Sequence, residues 1–438
     1  MSTNKKLTRR SFIGGTMAAA AAGLNAARGP IFRQEGRYAK PEIQEYRRLG
    51  RTGFKVSDIG FGAGELADAA LLEAILDTGV NYIDTAEGYL RGGSERIIGK
   101  VMQKRDRKEV FISTKLGVRE DATEASILDR AGKSLERLQL DYVDCLMIHA
   151  PATVEHLKNP AFHNAFARLK ADGRVRFCGV SNHGAQWNEV PQTMEEVLLA
   201  AAEDGRFDVM LFVYNFLQQE QGNRILNACR NKNIGATLMK TNPVLNYMEV
   251  KNRVEEARAQ GREPGEYQVN LLSRLKERAD AAEKFRTRYG LEGFDKVREA
   301  AVRFALHNKN VNTACLTIKN YNDLDFYVRL SGLNFGPYEE KVLTDYASAA
   351  GPLYCRHACG ECETACPDRV PVNTIMRYHQ YFAGQGREKS AMLKYARLAS
   401  ADGGKCITCS SGACEKACPY GVPVQGLLGM AHKTLTFT

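Results

Sequence analysis

Asn81-Tyr82-Ile83-Asp84-Thr85, then Val110-Phe111-Ile112-Ser113-Thr114-Lys115, then Val143-Asp144-Cys145-Leu146-Met147-Ile148-His149 decide how this chain folds. Each run is short and rich in apolar or β-branched residues, and each is followed by a longer segment of helical period. That alternation is the pattern of repeated βα units feeding a parallel sheet. Working outward, Ser57–Phe61, Phe177–Ser181, Val209–Tyr214, Gly235–Lys240 and Thr313–Ile318 extend the series to eight candidate strands. Eight such units favour closure, because a closed barrel leaves no edge strand to protect. The expected fold is α/β: a (β/α)8 TIM barrel over residues 46–348, with a smaller, mostly α-helical domain over 349–438. The chemistry of such a barrel sits at the C-terminal ends of its strands.

The chain has 438 residues, 44% hydrophobic and 26% charged, the profile of an ordinary globular protein with room for a barrel and a second unit. Its formal net charge is +10, but Lys5, Lys6, Arg9 and Arg10 supply four of those charges within the first ten residues. The rest is dispersed, which excludes a nucleic-acid surface as the leading reading. No stretch reaches the roughly 18 apolar residues of a transmembrane segment.

Asp84, Tyr89, Lys115 and His149 stand at or just beyond the ends of successive strands and converge on one mouth. The opening Tyr46-Arg47-Arg48-Leu49-Gly50-Arg51-Thr52-Gly53-Phe54-Lys55-Val56-Ser57, with Asp84-Thr85-Ala86-Glu87-Gly88-Tyr89 and Ser94-Glu95, resembles the aldo/keto reductase family. The resemblance implies a catalytic tetrad of Asp84, Tyr89, Lys115 and His149. It further implies NADP or NAD as hydride donor and a small carbonyl or alcohol substrate. A free tyrosine hydroxyl titrates near about 10. An adjacent Lys115 ammonium is expected to lower that value, with Asp84 holding the lysine. His149 is expected to orient the substrate carbonyl while Tyr89 delivers the proton. Ser181 and Asn182 match the family pair that holds the nicotinamide carboxamide, and Met239, Lys240 and Lys319 fall at the remaining cofactor positions. Leu211 stands where the family usually has glutamine.

Eight of the twelve cysteines crowd between Cys355 and Cys418. They form two sets, Cys355, Cys359, Cys362 and Cys366-Pro367, then Cys406, Cys409, Cys414 and Cys418-Pro419. Two groups of four, each ending in Cys-Pro, are close to what two 4Fe–4S clusters need, though each departs at one gap from the plain x2, x2, x3 spacing. Structural zinc and disulfides are the competing readings. The resemblance to two-cluster ferredoxins implies a crossed arrangement: Cys355, Cys359, Cys362 and Cys418 for one cluster, Cys366, Cys406, Cys409 and Cys414 for the other. Cys145, Cys178, Cys229 and Cys315 read as ordinary buried residues.

Thr8-Arg9-Arg10-Ser11-Phe12-Ile13-Gly14 and the alanine-rich run after it resemble a twin-arginine signal peptide, assigned to residues 1–27, with a linker over 28–45. That implies the twin-arginine transporter as a partner and a periplasmic or otherwise extracytoplasmic location. Residues 249–293 read either as a lid over the mouth or as a solvated insertion. The functional expectation is an exported oxidoreductase. Its rival is a scaffold barrel whose clusters pass electrons to an electron-transfer partner.

Overall fold

The computed structural model describes residues 40–66, 68–183, 192–243, 293–351, 354–357, 359–383, 387–398 and 401–436, with isolated positions between 261 and 289. The signal segment and nearly all of 249–293 lie outside the described residues. Lys40–Thr438 form one compact unit.

Eight parallel strands close a barrel: β1 (Ile59–Gly62), β2 (Tyr82–Asp84), β3 (Phe111–Leu116), β4 (Val143–His149), β5 (Val175–Asn182), β6 (Val209–Val213), β7 (Gly235–Met239) and β8 (Thr313–Leu316). Closure is made by β8 against β1, with Ala314 beside Ile59 and Leu316 beside Phe61. The first strand begins two residues later than expected because Asp58 breaks the run. Its carboxylate accepts hydrogen bonds from the Ile59 amide, the Ser331 hydroxyl and the Gly332 amide. Lys55–Ser57 instead pairs antiparallel with Tyr46–Arg48 as a hairpin.

That hairpin floors the barrel. Leu49 and Val56 are fully buried and pack with Tyr82, Phe111, Cys145, Met147, Val209 and Leu211. Phe111 stacks between Tyr82 and Phe177, at centroid distances of 5.5 and 6.1 Å. Burial of such side chains is worth about 1.5–3 kcal/mol each, which makes the lumen a packed core. The hairpin reaches the floor through Gly50, whose φ of +47° favours glycine and where a Cβ would collide with the Gly235 amide. Gly179 on β5 lets Cys145 and Met147 share its layer, since a Cβ there would lie 2.7 Å from both. The end of the expected linker is docked: Ile43 belongs to the main core, and the amides of Gln44 and Glu45 bond the Ser331 hydroxyl.

Helices cover the outer face, and their buried stripes form the main core with the strands' outward side chains. Thr123 and Thr193 start their helices, Glu124–Leu138 and Met194–Asp204, with capping boxes. Beyond Pro337–Ala350 the chain builds a second core from α1 (Val372–Ala383), α2 (Glu388–Ala396), the short α3 (Lys405–Thr408) and α4 (Ala413–Ala417), and α5 (Val424–Leu435). Val372, Ile375, Tyr378, Tyr395, Val424 and Leu428 are among its buried members. Among the described residues no helix is long and apolar enough to cross a membrane.

Candidate active site and cysteine cavities

The barrel brings Asp84, Tyr89, Lys115 and His149 into one mouth. Lys115 is buried, with Nζ 2.6 Å from Asp84 Oδ2, 2.6 Å from the Thr85 carbonyl and 3.4 Å from the Tyr89 hydroxyl. The ammonium also lies 4.8 Å from the Tyr89 ring centre. His149 meets that ring edge-on, its centroid 6.0 Å away.

The loop carrying Tyr89 is pinned from below. Its Thr85 and Glu87 amides bond the carbonyls of Ser113 and Lys115, and the Thr85 and Ser94 hydroxyls are 2.8 Å apart. Glu95 is fully buried and accepts from Thr114 Oγ1 at 2.7 Å and Arg137 Nε at 2.6 Å. Leu90 and Arg91 adopt left-handed backbone immediately after the tyrosine. Ala150 and Lys240, each just past a strand end, do the same, and such strain gathers where a mouth must be shaped.

Burial governs the protonation of these groups. It pulls His149 down to about 3, with the charges of Lys115, Lys394 and Arg377 adding to the effect, so the imidazole is neutral at ordinary pH. Burial also pushes the Tyr89 hydroxyl above its ordinary value. Lys115 draws it back without overcoming the desolvation. This corrects the expectation of a net lowering, because removing water from a phenolate costs more here than one shared ammonium returns. Burial disfavours the Lys115 charge, yet Asp84 and Tyr89 outweigh it and the lysine holds its proton more firmly than usual.

At the end of β5, Ser181 Oγ is buried with no hydrogen-bond partner among the described residues. Asn182 Nδ2 donates to the Pro151 carbonyl at 3.0 Å. Met239 is half-buried at the end of β7. An orphaned hydroxyl beside a carboxamide and a thioether fits a nicotinamide ring, whose carboxamide would satisfy the serine. Leu211 faces the buried lumen, so no side-chain donor stands at that position. Lys319 turns instead to Glu65, at 2.9 Å. Lys240 Nζ lies 3.1 Å from His357 Nδ1 of the C-terminal region.

The eight clustered cysteines fall into two cavities. Cys355, Cys359, Cys362 and Cys418 line one. Cys366, Cys406, Cys409 and Cys414 line another. Among the described residues no three Cys, His, Asp or Glu side chains converge as a single-ion site. Four thiols spread around a cavity fit a cubane better than one ion, since a cubane holds its ligands on separate irons. The two halves are internal copies, a signal the cysteine spacing alone did not reveal. Val370-Pro371-Val372 after Cys366-Pro367 repeats as Val422-Pro423-Val424 after Cys418-Pro419. In each half a glutamate beside a cysteine caps the helix after the repeat: Glu363 accepts from the Asn373 amide at 2.7 Å, and Glu415 from the Gln425 amide at 3.0 Å. The scattered Cys145, Cys178, Cys229 and Cys315 are buried.

Sequence reasoning missed Arg377 and Tyr381 of α1, Lys394 of α2, and His183, all of which stand around the mouth. Arg377 is only 3% exposed and shares the buried stripe of α1 with Thr374 and Tyr378, a burial that the sequence pattern did not show.

The family profile for aldo/keto reductases matches residues 59–345, and the chain belongs to that family. It is 31% identical over 150 residues to the uncharacterized oxidoreductase YqkF of Bacillus subtilis, covering 31% of this chain and 48% of that protein. It is 27% identical over 223 residues to the NADH-specific methylglyoxal reductase of Escherichia coli, covering 42% of this chain and 64% of that one. The chain thus spans less than two-thirds of either relative. Aldo-keto reductase AKR11C1 from Bacillus halodurans, in its holo form, aligns with 70% of this chain and 97% of its own at a TM-score of 0.49 and 20% identity.

Proposed function

We propose that this chain is an NAD(P)H-dependent carbonyl reductase, exported by the twin-arginine route to the periplasm, that holds two 4Fe–4S clusters. One observation carries the enzymatic reading: a buried Lys115 ammonium bridges Asp84 and the Tyr89 hydroxyl, beside a neutral His149, at the mouth of a closed barrel.

NAD(P)H would supply the hydride, and the reaction is reversible between carbonyl and alcohol. Ser181 and Asn182 would hold its carboxamide and Met239 would pack on the ring. His149 is neutral, so one ring nitrogen donates to the substrate carbonyl oxygen without surrendering a charge. Tyr89, held protonated by burial, is a reservoir for the proton that the developing alkoxide takes. Lys115 then stabilises the phenolate left behind, and Asp84 keeps Lys115 charged and fixed. The duplicated cysteine halves and their crossed cavities support cluster binding, where each set would supply four thiolates for one-electron chemistry. The Arg9-Arg10 motif supports export, and the folded-protein route suits a protein that acquires clusters before crossing.

The loss of a carboxamide donor at Leu211 favours the second reading, a scaffold barrel serving electron transfer. Anaerobic purification with iron, acid-labile sulfide and released nicotinamide counted separates the two. About eight irons and eight sulfides, with NADPH-dependent carbonyl turnover lost in Tyr89→Phe, is the expected result. Iron without nicotinamide binding or turnover would favour the scaffold. Zinc or no metal would sink the cluster assignment.

A further inference from the structure

We propose that Arg377 and Lys394 of the C-terminal helices, with Lys240 of the barrel, form an anion-binding subsite over the catalytic mouth, so that the substrate is a carbonyl compound bearing a carboxylate. The inference rests on the carbonyl-reductase reading and names its substrate class.

The C-terminal region reaches directly into the mouth. Arg377 donates to His183 Nδ1, one residue past the end of β5, at 3.1 Å. Lys240, one residue past β7, stands 3.1 Å from His357 Nδ1. The Tyr381 ring gathers the cations: Lys394 Nζ lies 5.4 Å from its centroid, Lys240 Nζ 5.8 Å, and the Arg387 guanidinium 5.3 Å. Arg387 is balanced by Glu65 at 3.6 Å, and Lys115 by Asp84. Arg377 also acts on the half-buried Glu363, whose proton affinity it lowers. Arg377 and Lys394 both act electrostatically on Lys240 and on His149.

Crowded cations in a desolvated place repel one another, and the cost is visible. Burial, then Arg387, Arg377 and Arg397, pull Lys394 down to about 8. An anion bound among them would relieve that repulsion and receive charge-assisted hydrogen bonds, with the planar guanidinium of Arg377 suited to a carboxylate. The position favours substrate over cofactor. The charges of Arg377 and Lys394 act on His149, and Lys394 and Lys240 lie against the Tyr381 ring, so they attend the His149 side of the mouth.

The test uses the full-length, cluster-loaded protein and a matched pair, phenylglyoxylate and its methyl ester, which share the ketone but differ in charge. The kcat/KM ratio of acid to ester is expected to exceed unity and to fall about tenfold or more in Arg377→Gln and in Lys394→Gln, the loss expected for a charge-assisted bond. Arg377→Lys is expected to recover part of it. General damage to the fold lowers both substrates together and leaves the ratio in place. Calorimetric titration of phenylglyoxylate reads the same site without turnover, so the anion subsite is tested even if carbonyl reduction fails. A ratio near one that neither variant changes, with turnover intact, overturns the subsite. Equal weakening of NADPH affinity with an unchanged ratio assigns the cations to the cofactor and also overturns it. So does a preference for glyceraldehyde 3-phosphate over glyceraldehyde in the absence of any preference for the acid.

Discussion

Asp84→Asn removes one charge from an ion pair that has almost no access to water: the Lys115 and Asp84 side chains are 1% and 6% exposed, with Nζ and Oδ2 2.6 Å apart. Nζ keeps the Thr85 carbonyl and the Tyr89 hydroxyl but loses its counter-charge. Breaking a buried pair from one side costs about 3–5 kcal/mol, because the remaining charge has neither partner nor solvent. Lys115 limits that loss by shedding its proton, so its proton affinity drops from above the usual lysine range, and Tyr89 loses its stabilising cation in the same step. Hydrogen exchange across Phe111–Leu116 reads the stability locally and requires no two-state unfolding of a two-core protein. Protection there is expected to fall by about two to four orders of magnitude, the equivalent of that energy. Asp84→Asn/Lys115→Met, which removes both charges, is expected to regain most of it. Unchanged protection in the single variant, or a double variant no better than the single, would refute the view that the pair is held by mutual compensation.

Tyr89→Phe is expected to lower carbonyl turnover by about 10²–10⁴-fold with little change in NADPH affinity; rates within threefold of the parent would remove Tyr89 as the proton donor. His149 titrates at about 3 in the folded protein and near its ordinary 6.5 in the unfolded chain. As pH falls the unfolded chain takes up that proton first, so the stability His149 contributes is complete above about 6.5 and drains away between about 6.5 and 3. Between pH 7 and 5 that amounts to at most about 2 kcal/mol, and His149→Gln should flatten this part of the thermal-unfolding profile; equal slopes in both proteins would contradict the assignment. Cys418→Ser and Cys366→Ser are each expected to lose about four of about eight irons. Iron retained in full by either variant would contradict the crossed cavities.

The barrel was legible in the sequence because its signals are local. β4 runs from Val143 to His149 as its apolar run does, since nothing in that stretch competes with the strand. At Asp58 a side chain with three partners, two of them far along the chain, ended the expected strand, and no local pattern carries such a bond. Strand ends and spacing placed Asp84, Tyr89, Lys115 and His149 in one mouth, and the resemblance to the family marked them as a tetrad. Its proton affinities were not, since burial, which decides the direction at Tyr89, is a property of the assembled mouth. Arg377, Tyr381 and Lys394 meet the mouth across roughly two hundred residues of intervening chain, as the Arg377–His183 bond illustrates. Helical period predicted their helix but not what it covers.

Hydride transfer at the Tyr89 mouth is read by the transfer of label from NADPH deuterated at C4 into the alcohol formed from phenylglyoxylate or its ester. Deuterium is expected on the carbinol carbon with the parent protein, and its near-complete loss is expected with Tyr89→Phe. Absence of label with the parent protein, clusters fully loaded and both substrates offered, would contradict it.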